Sequence, residues 1–88
     1  MMMSETNNII VGRALNPANK DRSTGGSSGG EAGMIASRCS VIGIGTDTAG
    51  SLRNPSGFCG IYTIRASDVR VHGPKRHLDN ILVMSGLT

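Results

Sequence analysis

Apolar residues occur along this chain in short runs separated by glycine-rich turns, which predicts alternating strands and helices. The first run, NIIVG at residues 8–12, is rich in β-branched side chains and predicts a strand. Residues 13–23 contain a proline and two asparagines and predict a loop. Residues 30–38 combine small and apolar side chains with Glu31 near the N-terminal end, and we expect a helix there.

The same alternation continues in the second half. Residues 40–47, SVIGIGTD, form a compact apolar run bounded by glycines, which is typical of a fully buried strand. Residues 48–60 predict a turn and then a short helix that accepts Pro55 in its first turn. Three segments follow: a buried strand at residues 61–64, a basic loop at 65–77, and a last apolar strand at 80–88. Ending on that strand unpaired would expose a sheet edge, so we expect the chain to continue in the intact protein. This order predicts an α/β fold with functional groups on the turns.

Composition argues against an independent domain with a large core. A chain of 88 residues buries only about 60–65% of its unfolded surface. It has 13 glycines, one Phe, one Tyr and no Trp, so few large side chains can fill an interior. We therefore expect the chain to be part of a larger protein.

The net charge of +3 comes mainly from arginine, and basic residues concentrate toward the end at Arg65, Arg70, Lys75 and Arg76. Nucleic-acid-binding surfaces usually pair such charge with stacking aromatic rings, and only Tyr62 is near. We expect a solvated basic face and no nucleic-acid partner.

Cysteine spacing and the N-terminal residues argue against a metal-binding, secreted or membrane-spanning protein. Cys39 and Cys59 form no CxxC pair, so we expect two buried small side chains, with no metal, cofactor or disulfide. The beginning, MMMSETNN, is unlike a signal peptide, and no apolar run approaches the ~20 residues of a membrane span. A cytoplasmic location is the default expectation.

Three kinds of site compete for the glycine-rich turns. A phosphate-binding P-loop needs a Gly-Lys pair, which is missing, and a dinucleotide fingerprint needs its third glycine earlier than Gly50. The segment GSSGG matches the GxSxG nucleophile elbow of α/β-hydrolases with Ser28 as nucleophile. Asp68 with His72 or His77 would complete that triad, although the elbow should follow a strand immediately and the chain is short for that fold.

A compound pattern fits the third kind of site. Its parts are NP at residues 16–17, GGSSGGE at 25–31, GIGTD at 43–47, AGSLR at 49–53 and FCGIY at 58–62. The pattern resembles the signature segment of the amidase signature family of serine hydrolases, especially its fatty-acid amide hydrolase-like branch. The resemblance covers residues 12–62 well and 63–88 loosely. It implies a partial amidase domain over residues 1–88, taken from a large twisted mixed β-sheet flanked by helices.

The resemblance also implies catalytic roles. Ser51 would be the nucleophile, and Ser27, preceded by a cis peptide bond, would be the bridging serine. Ser28 would be a supporting hydrogen-bonding group. Glycines on both sides of the two serines would let substrate approach the backbone closely.

The turn before Ser51 receives two further implied roles. The backbone N–H groups of Thr48, Ala49, Gly50 and Ser51 match the family's oxyanion hole. Asp47 and Arg53 would hold the turn in shape as an ion pair, and Glu31 would cap its helix.

The implied reaction is amide hydrolysis through an acyl-enzyme, with proton transfer from Ser51 through Ser27 to a neutral lysine. The family's lysine lies well upstream of the serines, whereas Lys20 is in the wrong motif and Lys75 matches nothing, so we expect the lysine outside this chain and the isolated chain to be inactive. In residues 63–66 the family's usual Gly-Leu-Lys-Pro is replaced by TIRA.

The partner would be a small-molecule amide, with fatty-acid amides as the branch's usual substrates. Membrane association at the periphery is an expectation for the full-length protein only. The alternative is a non-catalytic fragment that binds a partner or ligand.

Overall fold

The computed structural model of the chain describes residues 4–67, residue 70 and the backbone of residues 81–85. These residues combine helices and strands, in keeping with a piece of an α/β protein. The elements in chain order are β1 Asn7–Asn8, β2 Gly12–Arg13, β3 Leu15–Asn16, β4 Asn19–Ser23, α1 Gly29–Ala36, β5 Ile42–Thr46, α2 Arg53–Cys59, β6 Tyr62–Ile64 and β7 Ile81–Ser85.

The predicted last apolar strand is present as β7, and it lies in the middle of a three-stranded sheet. The strand order is β5-β7-β6, and both pairings are antiparallel. Gly43 pairs with Met84, which in turn pairs with Thr63. The described part of the sheet is therefore small and antiparallel.

The N-terminal prediction was wrong in both segments. The run at residues 8–12 contains a turn between β1 and β2, because Asn8 Oδ1 accepts hydrogen bonds from the N–H groups of Ile10 (3.0 Å) and Val11 (2.9 Å). An asparagine side chain that bonds the backbone two or three residues ahead favours a turn over an extended strand. The predicted loop at residues 13–23 contains a second antiparallel hairpin, β3–β4.

Both helices lie close to where the sequence predicts them, and they form the core. Among the described residues, the buried core cluster consists of Ala32 and Ile35 of α1 and Leu52 just before α2. Cys59, Ile61 and Ala66 pack against this cluster. The core is thin, as the composition predicts.

Strand β5 is buried on one face only, and this corrects the prediction of full burial. Gly43 and Gly45 face the helices, whereas Ile42 and Ile44 are exposed on the other face. Side chains alternate between the faces of a strand, and the helices cover one face in the described part of the chain. A Cβ at Gly45 would lie 2.6 Å from Leu52 Cδ1, so glycine allows the helical layer to pack this close.

Strand β6 shows the same one-sided burial. Tyr62 and Ile64 are exposed, so the predicted buried strand at residues 61–64 is a strand with an exposed face. The predicted basic loop at residues 65–77 lies mostly outside the described residues.

Side chains from α1 and its flanking turns form hydrogen bonds with backbone N–H and carbonyl groups of β5. Glu31 was expected to cap its own helix, but its carboxylate accepts a hydrogen bond from the Ile44 N–H (3.2 Å). The further bonds are from Ser40 Oγ to the Ile42 carbonyl (2.7 Å), from the Thr46 N–H to Ser28 Oγ (3.2 Å), and from Ser28 Oγ to the Thr46 carbonyl (3.4 Å).

The cysteines differ from each other. Cys39 is exposed, which contradicts its predicted burial, because it lies in the turn after α1. Cys59 is half-buried beside the core, and this burial raises the pKa of its thiol. Within the described ranges, no helix has the length and apolar content needed to cross a bilayer.

Candidate active site

The carboxylate of Asp47 organises the loop between β5 and α2. Asp47 is fully buried. Its Oδ1 accepts the Gly50 N–H at 2.8 Å, and its Oδ2 accepts the N–H groups of Leu52 (3.3 Å) and Arg53 (3.1 Å). These bonds surround Ser51 in sequence, so a single side chain fixes the loop that carries the predicted nucleophile.

Two arginines balance the charge of Asp47. Arg53 donates from Nε and from its terminal nitrogen, each at 2.9 Å, which confirms the predicted ion pair. Hydrogen bonding from the Arg53 side chain, and then from the loop N–H groups, holds the pKa of Asp47 well below its usual range despite burial.

Arg65 is the second cation at this carboxylate. Its Nε lies 3.7 Å from Asp47 Oδ1 and donates to the Asp47 carbonyl at 3.3 Å. Arg65 is the third residue of TIRA, where the family pattern has lysine. Arginine therefore keeps a positive charge at this position, and the structure shows that the charge contacts Asp47.

The predicted oxyanion donors differ in their positions. The Gly50 N–H already donates its hydrogen bond to the Asp47 carboxylate, so this N–H points into the loop. Ser51 is half-buried at the end of the turn, and Thr48 and Ala49 are exposed. The roles of Thr48, Ala49 and Ser51 as oxyanion donors stay predictions.

The loop that carries Ser27 has a different support. The peptide bond between Gly26 and Ser27 is cis, as the resemblance implies, and Ser27 itself is exposed. Thr6 Oγ1 donates to the Gly25 carbonyl at 2.9 Å and accepts the Gly29 N–H at 3.1 Å. This contact was missed at the sequence level, because no motif links residue 6 to a turn about twenty positions later.

Ser28 joins the two serine loops. Its N–H donates to the Ser51 carbonyl at 3.0 Å, while its hydroxyl bonds the backbone of Thr46 at the end of β5. The Ser27–Ser28 segment and the Ser51 turn are therefore adjacent, as a serine relay requires. Because Ser28 Oγ is engaged with β5, the side chain serves as a connector in this structure.

The alternative site at Ser28 lacks the local geometry of a nucleophile elbow. Strand β4 ends at Ser23, so five positions separate it from Ser28, whereas the elbow follows its strand directly. Its proposed partners Asp68, His72 and His77 lie outside the described residues. Of the lysines, Lys20 is exposed on β4, and Lys75 is also outside the described residues.

Comparison with known proteins assigns the family. A model of the Amidase family matches residues 1–76. The chain is 48% identical over 83 residues to a putative amidase, kk1C, of Curvularia clavata, which covers 94% of this chain and 15% of that protein. It is 54% identical over 71 residues to an acetamidase of Aspergillus oryzae, with coverage of 81% and 13%. It is 44% identical over 71 residues to fatty-acid amide hydrolase 1 of Sus scrofa, with coverage of 81% and 12%.

The chain belongs to the amidase signature family. It spans about one-eighth to one-seventh of the length of these relatives, between 12% and 15%. The acetamidase shares more identity with the chain than the fatty-acid amide hydrolase does over the same number of residues, so the family is assigned and the branch is not.

Proposed function

We propose that this chain is the nucleophile-bearing segment of an amide hydrolase and that Ser51 attacks the amide carbonyl carbon. The proposal rests mainly on the buried Asp47 carboxylate, which ties down the N–H groups on both sides of Ser51. A nucleophile gains rate when its loop is held before substrate arrives, because little freedom is then lost in the transition state.

The proposed chemistry is a serine relay. A neutral lysine from outside the chain removes the proton of Ser27 Oγ, which removes the proton of Ser51 Oγ as that oxygen bonds to the carbonyl carbon. Collapse of the tetrahedral intermediate breaks the C–N bond, and the amine leaves with the returned proton. Water then hydrolyses the acyl ester and restores Ser51. The bond between Ser28 N–H and the Ser51 carbonyl supports this assignment, because it places the two serine loops side by side.

The substrate class is a carboxylic amide. Fatty-acid amides are the finer proposal from the motif resemblance, whereas the higher identity to an acetamidase favours short acyl groups. These substrates can be separated by comparing kcat/KM for acetamide and for a long-chain fatty-acid amide. A preference for the short amide would overturn the fatty-acid part of the proposal and leave amide hydrolysis intact.

A segment exchange tests the activity. In this chimera, residues 1–76, the range that the family model matches, replace the equivalent segment of the Aspergillus oryzae acetamidase. We expect acetamide hydrolysis that is abolished by Ser51→Ala, together with fluorophosphonate labelling that Ser51→Ala removes. Ser40→Ala, an exchange of the serine between α1 and β5, is the matched control and should stay active.

Two results would contradict the proposal. A folded chimera without activity or labelling would favour a non-catalytic segment. Activity that survives Ser51→Ala and is lost with Ser28→Ala would favour the GxSxG alternative.

A further inference from the structure

The segment at Glu5 and Thr6 lies directly against the loop of the bridging serine. The Thr6 hydroxyl contacts that loop on both sides of Ser27: at the Gly25 carbonyl (2.9 Å), at the Ser27 carbonyl (3.4 Å) and at the Gly29 N–H (3.1 Å). A threonine hydroxyl has one proton to donate and two lone pairs, so it can serve donor and acceptor groups of one loop together.

The glycines of the loop match this contact. A Cβ at Gly26 would overlap the backbone carbonyl oxygen of Glu5, and a Cβ at Gly29 would overlap Thr6 Oγ1. Gly26 and Gly29 thus admit the Glu5–Thr6 segment on either side of Ser27. These glycines therefore have a structural role, which is to let the Glu5–Thr6 segment pack against the loop, in addition to the predicted access for substrate.

The backbone that carries the Thr6 side chain is itself held in place. The Thr6 carbonyl accepts the Ala14 N–H at 2.9 Å. Glu5, its neighbour, pairs with Arg13 at 3.0 Å and accepts a hydrogen bond from Ser23 Oγ. The Thr6 hydroxyl therefore projects from a fixed backbone. This is required if the hydroxyl is to hold the Ser27 loop in place.

From this geometry we infer that Thr6 is a positioning residue for Ser27 and sets the rate of proton transfer from Ser51. The inference rests on the proposed serine relay. Thr6 acts through the loop and contacts neither substrate nor the reacting atoms. Loss of its hydroxyl would release the Gly25 and Ser27 carbonyls and the Gly29 N–H together.

The test uses the full-length acetamidase chimera with Thr6→Val, which keeps the shape and removes the hydroxyl. We expect kcat to fall about 10- to 100-fold with KM nearly unchanged, because misplacement of a relay group affects the chemical step. Thr6→Ser restores the hydroxyl and should restore at least about half of kcat. Asn7→Ala, an exchange at the exposed neighbour, is the control.

A double-mutant cycle separates positioning from general stability. In the Ser27→Ala background, Thr6→Val should lower the residual rate by less than about twofold, because the residue that it positions is gone. Melting temperatures of all variants are measured in parallel. If Thr6→Val is insoluble, Thr6→Cys takes its place in the cycle.

The outcomes distinguish the two proposals. An active chimera that is indifferent to Thr6→Val, equally damaged by Thr6→Ser, or damaged to the same degree with and without Ser27 would overturn the role of Thr6 alone. A chimera that is folded but inactive with Thr6 and Ser51 intact would overturn the relay, and the role of Thr6 with it.

Discussion

The two serine loops are supported in opposite ways. The Ser51 loop is held by a charge within itself, because Asp47 binds N–H groups only three to six residues ahead. The Ser27 loop is held by a neutral hydroxyl, which Thr6 supplies from 19 and 23 residues away. One support is local and ionic, and the other is distant and uncharged.

The comparison shows where each loop is vulnerable. Hydrogen bonds to an ionised acceptor are roughly twice as strong as neutral ones, so the Ser51 loop depends on one carboxylate. The Ser27 loop depends on shape, since the absence of a side chain at Gly26 lets the Glu5–Thr6 backbone reach it. Substitutions that remove charge should therefore damage the first loop, and substitutions that add volume should damage the second.

The largest effect is expected from Asp47→Asn in the acetamidase chimera. The neutral amide offers one acceptor in place of two and leaves Arg53 and Arg65 without an anion. We expect kcat/KM to fall about 100-fold or more and the free energy of unfolding to fall by about 2 kcal/mol. Amide hydrolysis rates and chemical denaturation measure the two effects.

Asp21→Asn is the matched control, since Asp21 is an exposed aspartate on β4. Its activity should stay within about twofold of the parent chimera. Equal behaviour of the two variants would show that the charge of Asp47 does not hold the Ser51 loop.

A smaller effect on activity, with a comparable loss of stability, is expected from Gly26→Ala, which tests shape. The new methyl group would overlap the Glu5 carbonyl oxygen, a backbone atom that cannot rotate away. We expect about 1–3 kcal/mol of destabilisation together with reduced fluorophosphonate labelling of Ser51. Gly30→Ala is the control, because a Cβ there meets nothing within 4 Å and alanine favours a helix. Normal labelling in Gly26→Ala would mean that the Ser27 loop does not need this close contact.

The smallest effect concerns pH. The folded-state pKa of Asp47 lies below its unfolded value, so its stabilisation is complete above the unfolded pKa, near ~4, and is lost as pH falls toward the folded value. The gap in melting temperature between the parent chimera and Asp47→Asn should stay constant from pH 7 to about 5 and narrow below about 4. A gap that closes already near pH 6 would assign the effect to another group.

Local patterns in the sequence predicted several elements correctly, whereas contacts between distant residues could not be read from them. The two helices, β5 and the Asp47–Arg53 pair follow from glycine spacing, apolar runs and charges a few residues apart. The β-branched run at residues 9–11 led to a wrong strand prediction, because hydrogen bonds to the Asn8 side chain stabilise a turn there. The central position of β7, the contact of Glu31 with β5 and the Thr6 support all join distant residues, and no local pattern encodes them.

The side chains along β5 have a consequence for association between molecules. An exposed strand edge is a template on which another chain can add a strand. Here Ser28, Glu31 and Ser40 already occupy backbone groups of Thr46, Ile44 and Ile42. A foreign strand would have to displace them, so, within the described part of the sheet, the helix and turns that shape the two serine loops also protect this edge against edge-to-edge aggregation.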